Sequence, residues 1–286
     1  MNDLVSVYVP TKNRLKLLKR AVYSVLGQTA RNIELIVVSD GSDDGSCEFI
    51  NSIVSDIPIT LIHNEKSVGA CAARNQAIDV AKGYFVTGLD DDDFFMPHRV
   101  ERFLDHWALL ESQQAHFSCL FDSRIVDDGT RISIESVSET VSANEILSVN
   151  HIGNQVFTRR DWIIAAGCYD PAMPAWQDWE LWVRLLAHFG IAKNIQQKSY
   201  FSDMSHEFER ITLKSGEKIR TAAQIFYLKH CENNNRLELL RALGGYPQIA
   251  FTLNDLWVLF KGKEFRKVAG QLARRKYLHS FDSSLV

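Results

Sequence analysis

The chain has 286 residues, of which 46% are hydrophobic and 23% charged, so it is long enough to form one large soluble globular domain or two fused halves. The formal net charge of -3 gives no electrostatic reason to expect a nucleic acid partner. Five scattered cysteines without a CxxC pair argue against a disulfide framework or a zinc site, and the absence of a leader pattern or a long apolar run predicts a cytoplasmic protein.

Alternating valines from Val5 to Val9 predict a first strand, which ends near Pro10. Apolar residues then recur at helical spacing from Leu15 to Leu26, and Asn13 is the predicted N-cap of this helix. Further strands are predicted at residues 33–38, 59–62 and 84–89, with a helix at 72–81. This alternation of strands and helices predicts an α/β fold with a parallel sheet.

Polar residues follow three of these strands, at Pro10-Thr11, at Ser39-Asp40-Gly41 and at Asp90 to Asp93. Because the carboxyl ends of parallel strands meet at one edge of a sheet, these residues should line one crevice. Beyond it, an amphipathic helix is predicted at 100–110 and short strands at 116–141. From about Thr212 the pattern is helical, with breaks at 233–235 and 244–245.

The acidic run from Asp90 to Asp93 is the densest charge in the chain. Carboxylates packed this closely repel one another, whereas hard divalent cations such as Mg²⁺ and Mn²⁺ prefer carboxylate oxygens as ligands. A metal site is therefore predicted here. The alternative is a solvated acidic turn.

Four motifs, at residues 9–14, 39–46, 69–75 and 89–93, are followed by Gln177-Asp178-Trp179. In order and spacing, this set resembles the family 2 glycosyltransferases, over roughly residues 4–210. The resemblance implies a GT-A fold, with a central, mainly parallel sheet flanked by helices. It further implies a Rossmann-like nucleotide-sugar half at 1–97, an acceptor half carrying the catalytic base at 98–211, and a helical C-terminal region at 212–286.

By the same resemblance, Pro10, Thr11 and Arg14 line a nucleotide pocket. Asp40 would accept a hydrogen bond from the ring nitrogen of a uracil-like base, the alternative being a residue that stabilises a turn. Arg74 would reach the diphosphate, the alternative being a surface ion pair.

Side chains alternate along an extended segment, so Asp90 and Asp92 are predicted to face the crevice together. The resemblance makes Asp92 a ligand of Mn²⁺ or Mg²⁺ and directs Asp90 toward ribose or metal. Asp91 and Asp93 would support them, although Asp91 could also contact the ribose. His206 would complete the metal site, unless it is an ordinary histidine of an exposed loop.

Inverting transfer requires a base that removes the proton of the acceptor hydroxyl, and a carboxylate suffices. The resemblance assigns this role to Asp178, with Glu180 as the competitor. Trp176, Trp179 and Trp182 could stack on sugars or could equally belong to the core.

Asn154 and Gln177 occupy positions where relatives contact the donor sugar or the acceptor. Residues 261–276 contain seven Lys or Arg and one Glu, which predicts a basic amphipathic helix. Such a helix could lie on an anionic bilayer. Alternatively, it could pack on its own domain or on another subunit of a homo-oligomer.

The predicted function is metal-dependent, inverting transfer of a sugar from a nucleotide sugar, with UDP as the expected nucleotide. The saccharide acceptor, which could be lipid-linked, would belong to O-antigen, capsule or lipopolysaccharide synthesis, at the cytoplasmic face of the membrane or in the cytoplasm. One alternative is a nucleotidyltransferase, although no glycine-rich loop precedes Gly27. The other is a binding module that has lost catalysis.

Overall fold

The computed structural model describes residues 3–135, 138–205, 216–231, 236–246, 249, 251–267, 269–270 and 272. The chain divides into two compact units. The first comprises Met1–Ile146, Asn150–Pro171 and Gln177–Glu207, and the second comprises Leu147–Val149, Ala172–Trp176 and Phe208–Val286.

Twelve strands are present in the described residues, all in the first unit. They are β1 (Val5–Thr11), β2 (Ile33–Asp40), β3 (Ile59–Asn64), β4 (Phe85–Gly88), β5 (Phe94–Phe95), β6 (Cys119–Phe121), β7 (Arg124–Asp127), β8 (Ile132–Glu135), β9 (Thr140–Val141), β10 (Phe157–Arg159), β11 (Ala192–Asn194) and β12 (Tyr200–Asp203).

Ten helices are assigned over the same described residues. They are α1 (Leu15–Leu26), α2 (Ser46–Asn51), α3 (Ala70–Val80), α4 (Arg99–Ser112), α5 (Ala143–Ile146), α6 (Arg160–Ala165), α7 (Gln177–Phe189), α8 (Gly216–His230), α9 (Arg236–Leu243) and α10 (Leu253–Lys261).

An eight-stranded sheet forms the centre of the first unit, in the order β3-β2-β1-β4-β10-β6-β11-β9. The strands β3, β2, β1 and β4 are parallel, which confirms the predicted arrangement of the N-terminal half. β1 and β2 are apolar and almost wholly buried, as strands covered by helices on both faces must be. The carboxyl ends of β1, β2 and β4 therefore lie side by side.

A smaller sheet, β5-β12-β7-β8, holds the chain that leaves the acidic run. β5 pairs with β12 in antiparallel fashion, so that Phe94 lies opposite Phe201 and Phe95 opposite Tyr200. The rings of Phe94 and Phe201 stack with centroids 4.4 Å apart. The acidic residues thus connect the large sheet to the small one, and both sheets fix their position.

The N-cap predicted for α1 is wrong. Arg14, not Asn13, precedes the first helical residue, and Asn13 has a positive φ of 52°. The side-chain oxygen of Asn13 instead accepts from the backbone N–H of Asp43 at 2.9 Å. The carboxylate of Asp44 accepts from the N–H of Leu15 at 2.7 Å. A residue distant in sequence therefore provides the hydrogen-bond acceptor for the first N–H group of the helix.

The second unit is helical in its described part, as predicted for the C-terminal region. Its core contains buried apolar residues from α8, α9 and α10, among them Ile219, Phe226, Leu240, Leu243, Leu256 and Leu259. The predicted break at 244–245 follows the end of α9, whereas residues 233–235 lie outside the described chain. Among the helices described, none has the length and apolar composition that crossing a membrane requires.

Candidate active site

The acidic run forms a turn, because the N–H of Asp93 donates to the carbonyl of Asp90 at 3.0 Å. The extended conformation predicted for this segment is therefore wrong, and the alternation of its side chains does not apply. Asp90 and Asp92 nevertheless lie close together, because Asp90, Asp92 and Asp93 each offer a carboxylate oxygen within 4.8 Å of the others. Asp93 joins this group, although the sequence assigned it a supporting position.

The fourth carboxylate, Asp91, connects the turn to the end of β1. It accepts from the hydroxyl of Thr11 at 2.7 Å and from Arg14 at 3.1 Å. Arg14 also donates to Asp92 at 3.1 Å. Burial raises the pKa of Asp91 to about 6, although Arg14 opposes this shift. The structure thus brings together the predicted residues Thr11, Arg14 and Asp91, with Pro10 immediately before them in β1.

Asp90 is held by three donors from two other parts of the chain. Arg74 and the amide of Gln155 donate to one carboxylate oxygen at 3.0 and 3.1 Å. The amide of Asn154 donates to the other oxygen at 2.7 Å. These hydrogen bonds fix the orientation of the carboxylate and offset its charge. They place Asn154 and Gln155 at the acidic turn, whereas the sequence assigned Asn154 to the donor sugar or the acceptor.

Asp93 and the backbone of the turn are held by residues that the sequence reasoning missed. The hydroxyl of Tyr200 donates to Asp93 at 2.8 Å, and the N–H of Asp203 donates at 3.0 Å. Arg20 donates to the carbonyl of Asp92 and to the carboxylate of Asp203. No local motif marks these residues, because each acts across more than 70 positions of sequence.

Arg74 bridges the acidic turn and the start of α7. One of its nitrogens donates to Asp90 and another to the side-chain oxygen of Gln177, both at 3.0 Å. Its guanidinium also lies 5.3 Å from the centre of the Tyr169 ring. With only 16% of its side chain exposed, Arg74 is not the surface ion pair of the alternative interpretation. The bridge joins the acidic turn to the first turn of α7, which carries Asp178, and the charges of Arg74 and Asp90 both influence the pKa of this carboxylate.

Asp178 is half-buried, and its environment favours a basic carboxylate. Burial raises its pKa, an effect that Arg74 opposes and the charge of Asp90 reinforces. Hydrogen bonding from the backbone at the start of α7 lowers the pKa again. A carboxylate with a raised pKa accepts a proton more readily near neutral pH.

The competing carboxylate, Glu180, has a structural role. It is fully buried and accepts from Arg184, with nitrogen to oxygen distances of 2.7 and 3.1 Å. Arg184 in turn donates to the carbonyls of Ala166 and Cys168. Glu180 is thus occupied in holding α7 against the segment that follows α6.

Asp40 ties the end of β2 to the loop before α3. It accepts from the hydroxyl of Ser67 at 2.6 Å, from the N–H groups of Val68 and Gly69 at 2.7 and 3.0 Å, and from Asn64 at 3.0 Å. Burial raises its pKa, but these bonds outweigh burial and lower it. A carboxylate offers about four acceptor positions, so the contacts agree with the turn-stabilising alternative. A base could bind Asp40 only by replacing one of these donors.

The three tryptophans proposed as a sugar platform are buried. Trp176, Trp179 and Trp182 are 5%, 6% and 0% exposed. Trp179 donates to the carbonyl of Ile146, and Trp182 to the carbonyl of Gly153. Trp176 packs within the second unit, where it donates to the hydroxyl of Tyr246 at 2.7 Å. All three side chains therefore agree with the alternative interpretation, in which these tryptophans belong to the core.

The oxygen donors of Asp90, Asp92 and Asp93 fit a hard divalent cation. Within the described residues, no other group of acidic, histidine or cysteine side chains has this geometry. His206, predicted as a further ligand, lies outside the described residues.

Comparison with known proteins agrees with this architecture. The model of Glycosyl transferase family 2 matches residues 6–157. An Escherichia coli K12 protein, named as the glycosyl transferase WcaA of colanic acid biosynthesis, is 34% identical over 82% of this chain and 84% of its own length.

Two solved structures share the fold at low sequence identity. The Staphylococcus aureus protein TarS (residues 1–349), solved in complex with UDP, has a TM-score of 0.62 at 17% identity. The match covers 88% of this chain and 74% of TarS. The Pyrobaculum calidifontis mannosyltransferase PcManGT, solved with GDP-Man and Mn²⁺, has a TM-score of 0.59 at 16% identity. That match covers 98% of this chain and 79% of the other. The common fold is GT-A.

Proposed function

The chain belongs to glycosyl transferase family 2, and we propose that it moves a sugar from a UDP-sugar to a saccharide acceptor with inversion. The observation that carries this proposal is the bridge made by Arg74. Through it, the acidic turn, which suits a metal and a diphosphate, is linked to the start of α7, where the carboxylate of Asp178 would serve as the base. Residues 1–97 would bind the donor, and 98–211 would supply the base and the acceptor site.

Asp90, Asp92 and Asp93 would hold a divalent cation, which when bound offsets the negative charge of the departing diphosphate. Binding of Mn²⁺ by the Pyrobaculum mannosyltransferase supports this role. Arg74 would add a second positive charge if it shifts from Asp90 to the diphosphate. The complex of TarS with UDP supports UDP as the nucleotide. Pro10, Thr11, Arg14, Asp40 and Asp91 would surround the base and ribose.

The chemical step is a single displacement. Asp178 takes the proton of the acceptor hydroxyl while that oxygen forms a bond to the anomeric carbon. The bond from this carbon to the diphosphate breaks, and its electron pair leaves with the nucleotide. Because attack occurs opposite the leaving group, the configuration at the anomeric carbon inverts. Asn154 and Gln177, which contact Asp90 and Arg74, would contact the donor sugar or the acceptor.

The proposed acceptor class is supported by the relative named for colanic acid biosynthesis. By analogy, this chain would extend a surface polysaccharide or its lipid-linked precursor, at the cytoplasmic face of the membrane.

A panel of UDP-sugars with Mn²⁺ tests the proposal through two readouts, thermal stabilisation and release of UDP. A preferred donor should raise the melting temperature, because it binds only the folded state, and should release UDP slowly even without acceptor. The Asp92→Asn variant is the control and should lose both responses. Stabilisation without UDP release under any condition would favour the non-catalytic binding module instead.

A further inference from the structure

Helix α10 has two apolar stripes, and among the residues that the structure describes one of them is buried and the other is exposed. Leu256 and Leu259 are buried in the second unit. On the adjacent side of the helix, Leu253, Trp257 and Phe260 are 74%, 54% and 50% exposed. Their spacing of four and three residues places them in one row along the helix.

Phe265, which is 54% exposed, extends this row. The rings of Trp257 and Phe260 stack with centroids 6.0 Å apart, and Phe260 meets Phe265 edge-on at 5.4 Å. We call Leu253, Trp257, Phe260 and Phe265 the aromatic patch. A contiguous exposed patch of large apolar side chains indicates a surface that binds another protein or a membrane.

Positively charged residues occur within the segment that carries the aromatic patch. The ammonium of Lys261 lies 5.1 Å from the centre of the Trp257 ring. In the described part of the chain, Lys261, Lys263 and Arg266 form no ion pair with a carboxylate. The acid of this stretch, Glu264, is already neutralised, because it pairs with Arg241 at 2.7 Å and lies 3.9 Å from Lys267.

We propose that the aromatic patch binds the surface of an anionic lipid bilayer. Trp and Phe rings are favoured at the level of lipid headgroups, and nearby Lys and Arg are attracted to anionic lipids. A protein partner fits less well, because Lys261 and Lys263 adjoin the patch and lysine is depleted from protein–protein interfaces. Binding through the patch needs neither donor nor metal, so it is tested separately from transfer.

Flotation of the full-length protein with vesicles provides the test. Vesicles of phosphatidylcholine mixed with phosphatidylglycerol should carry the protein upward, whereas phosphatidylcholine vesicles should carry much less. The double variant Trp257→Ser/Phe260→Ser should lower binding about tenfold or more, because it removes the inserted rings. Both side chains are half exposed, so we expect the variant to keep its melting temperature and its response to UDP.

A second variant, Lys261→Glu/Lys263→Glu, retains the rings and should lower binding to the anionic vesicles by a similar factor. The matched control is Leu109→Ser, whose leucine is 53% exposed on α4 in the first unit, and it should float like the wild type. The proposal is overturned if the wild type does not bind anionic vesicles, or if the Trp257→Ser/Phe260→Ser variant floats with them as well as the wild type does. It is also overturned if that variant only converts a dimer to a monomer, since the patch would then bind a second copy.

Discussion

Replacing Gly88 by alanine tests whether the orientation of Asp90 depends on close packing behind it. A Cβ atom at Gly88 would lie 2.0 Å from the side-chain oxygen of Gln155 and 2.7 Å from a ring carbon of Tyr8. Gln155 must therefore move, and it would lose its hydrogen bond to Asp90. Overpacking costs about 1–3 kcal/mol, and a hydrogen bond to a charged group contributes about 1.5–3 kcal/mol. We expect a total loss of about 2.5–6 kcal/mol.

Thermal unfolding followed by circular dichroism should show this loss as a fall of about 10 °C in melting temperature for the Gly88→Ala variant. The concentration of Mn²⁺ needed for half-maximal stabilisation should also rise, because Asp90 is less well oriented. Adding Gln155→Ala removes the closer of the two clashes, so the double variant should be more stable than additivity predicts. The control Gly245→Ala should change little, because its added Cβ finds no atom closer than 3.6 Å. An unchanged melting temperature and Mn²⁺ response in Gly88→Ala would refute this reasoning.

Three further predictions concern the carboxylates and the metal. Glu180→Ala should lower the unfolding free energy, measured by urea titration, by about 3–5 kcal/mol, because it removes the carboxylate that pairs with the partly buried Arg184. The folded fraction of this variant should remain active. Burial raises the pKa of Asp178 above 3.8, and only its ionised form accepts a proton, so kcat/KM should rise with pH through that raised pKa. Arg74 lowers this pKa, so the Arg74→Gln variant should show the rise in kcat/KM at higher pH. An unchanged pH profile in this variant would contradict the influence of Arg74 on Asp178. Chelation by EDTA should abolish UDP release, and added Mn²⁺ should restore it. At about 100 times its Kd, Mn²⁺ should raise the unfolding free energy of the wild type by about 2.7 kcal/mol. It should raise that of the Asp92→Asn variant much less.

The N-terminal half of the fold was predictable because local patterns determine it. Buried parallel strands appear as continuous apolar runs and the helices between them as amphipathic repeats. The parallel order β3-β2-β1-β4 then brings Thr11 to the acidic run, as the sequence predicted. The short helices α2 and α6 were missed, since six residues are too few to show helical periodicity.

The geometry of the site was less predictable, because it depends on contacts between distant segments. The turn at Asp90 to Asp93 is held by Arg20, Asn154 and Tyr200, none of which is adjacent in sequence. Motif spacing identifies which carboxylates are present but does not determine which of them share a ligand. For the same reason, spacing could not distinguish a tryptophan on the surface from one in the core.

The Asp178→Asn variant tests the central assignment most directly, because asparagine preserves the shape of the side chain and removes the base. Transfer to acceptor should fall about 10³-fold, whereas the affinities for UDP and Mn²⁺, measured by calorimetry, and the melting temperature should stay near those of the wild type. Transfer at the wild-type rate by this variant would contradict the account.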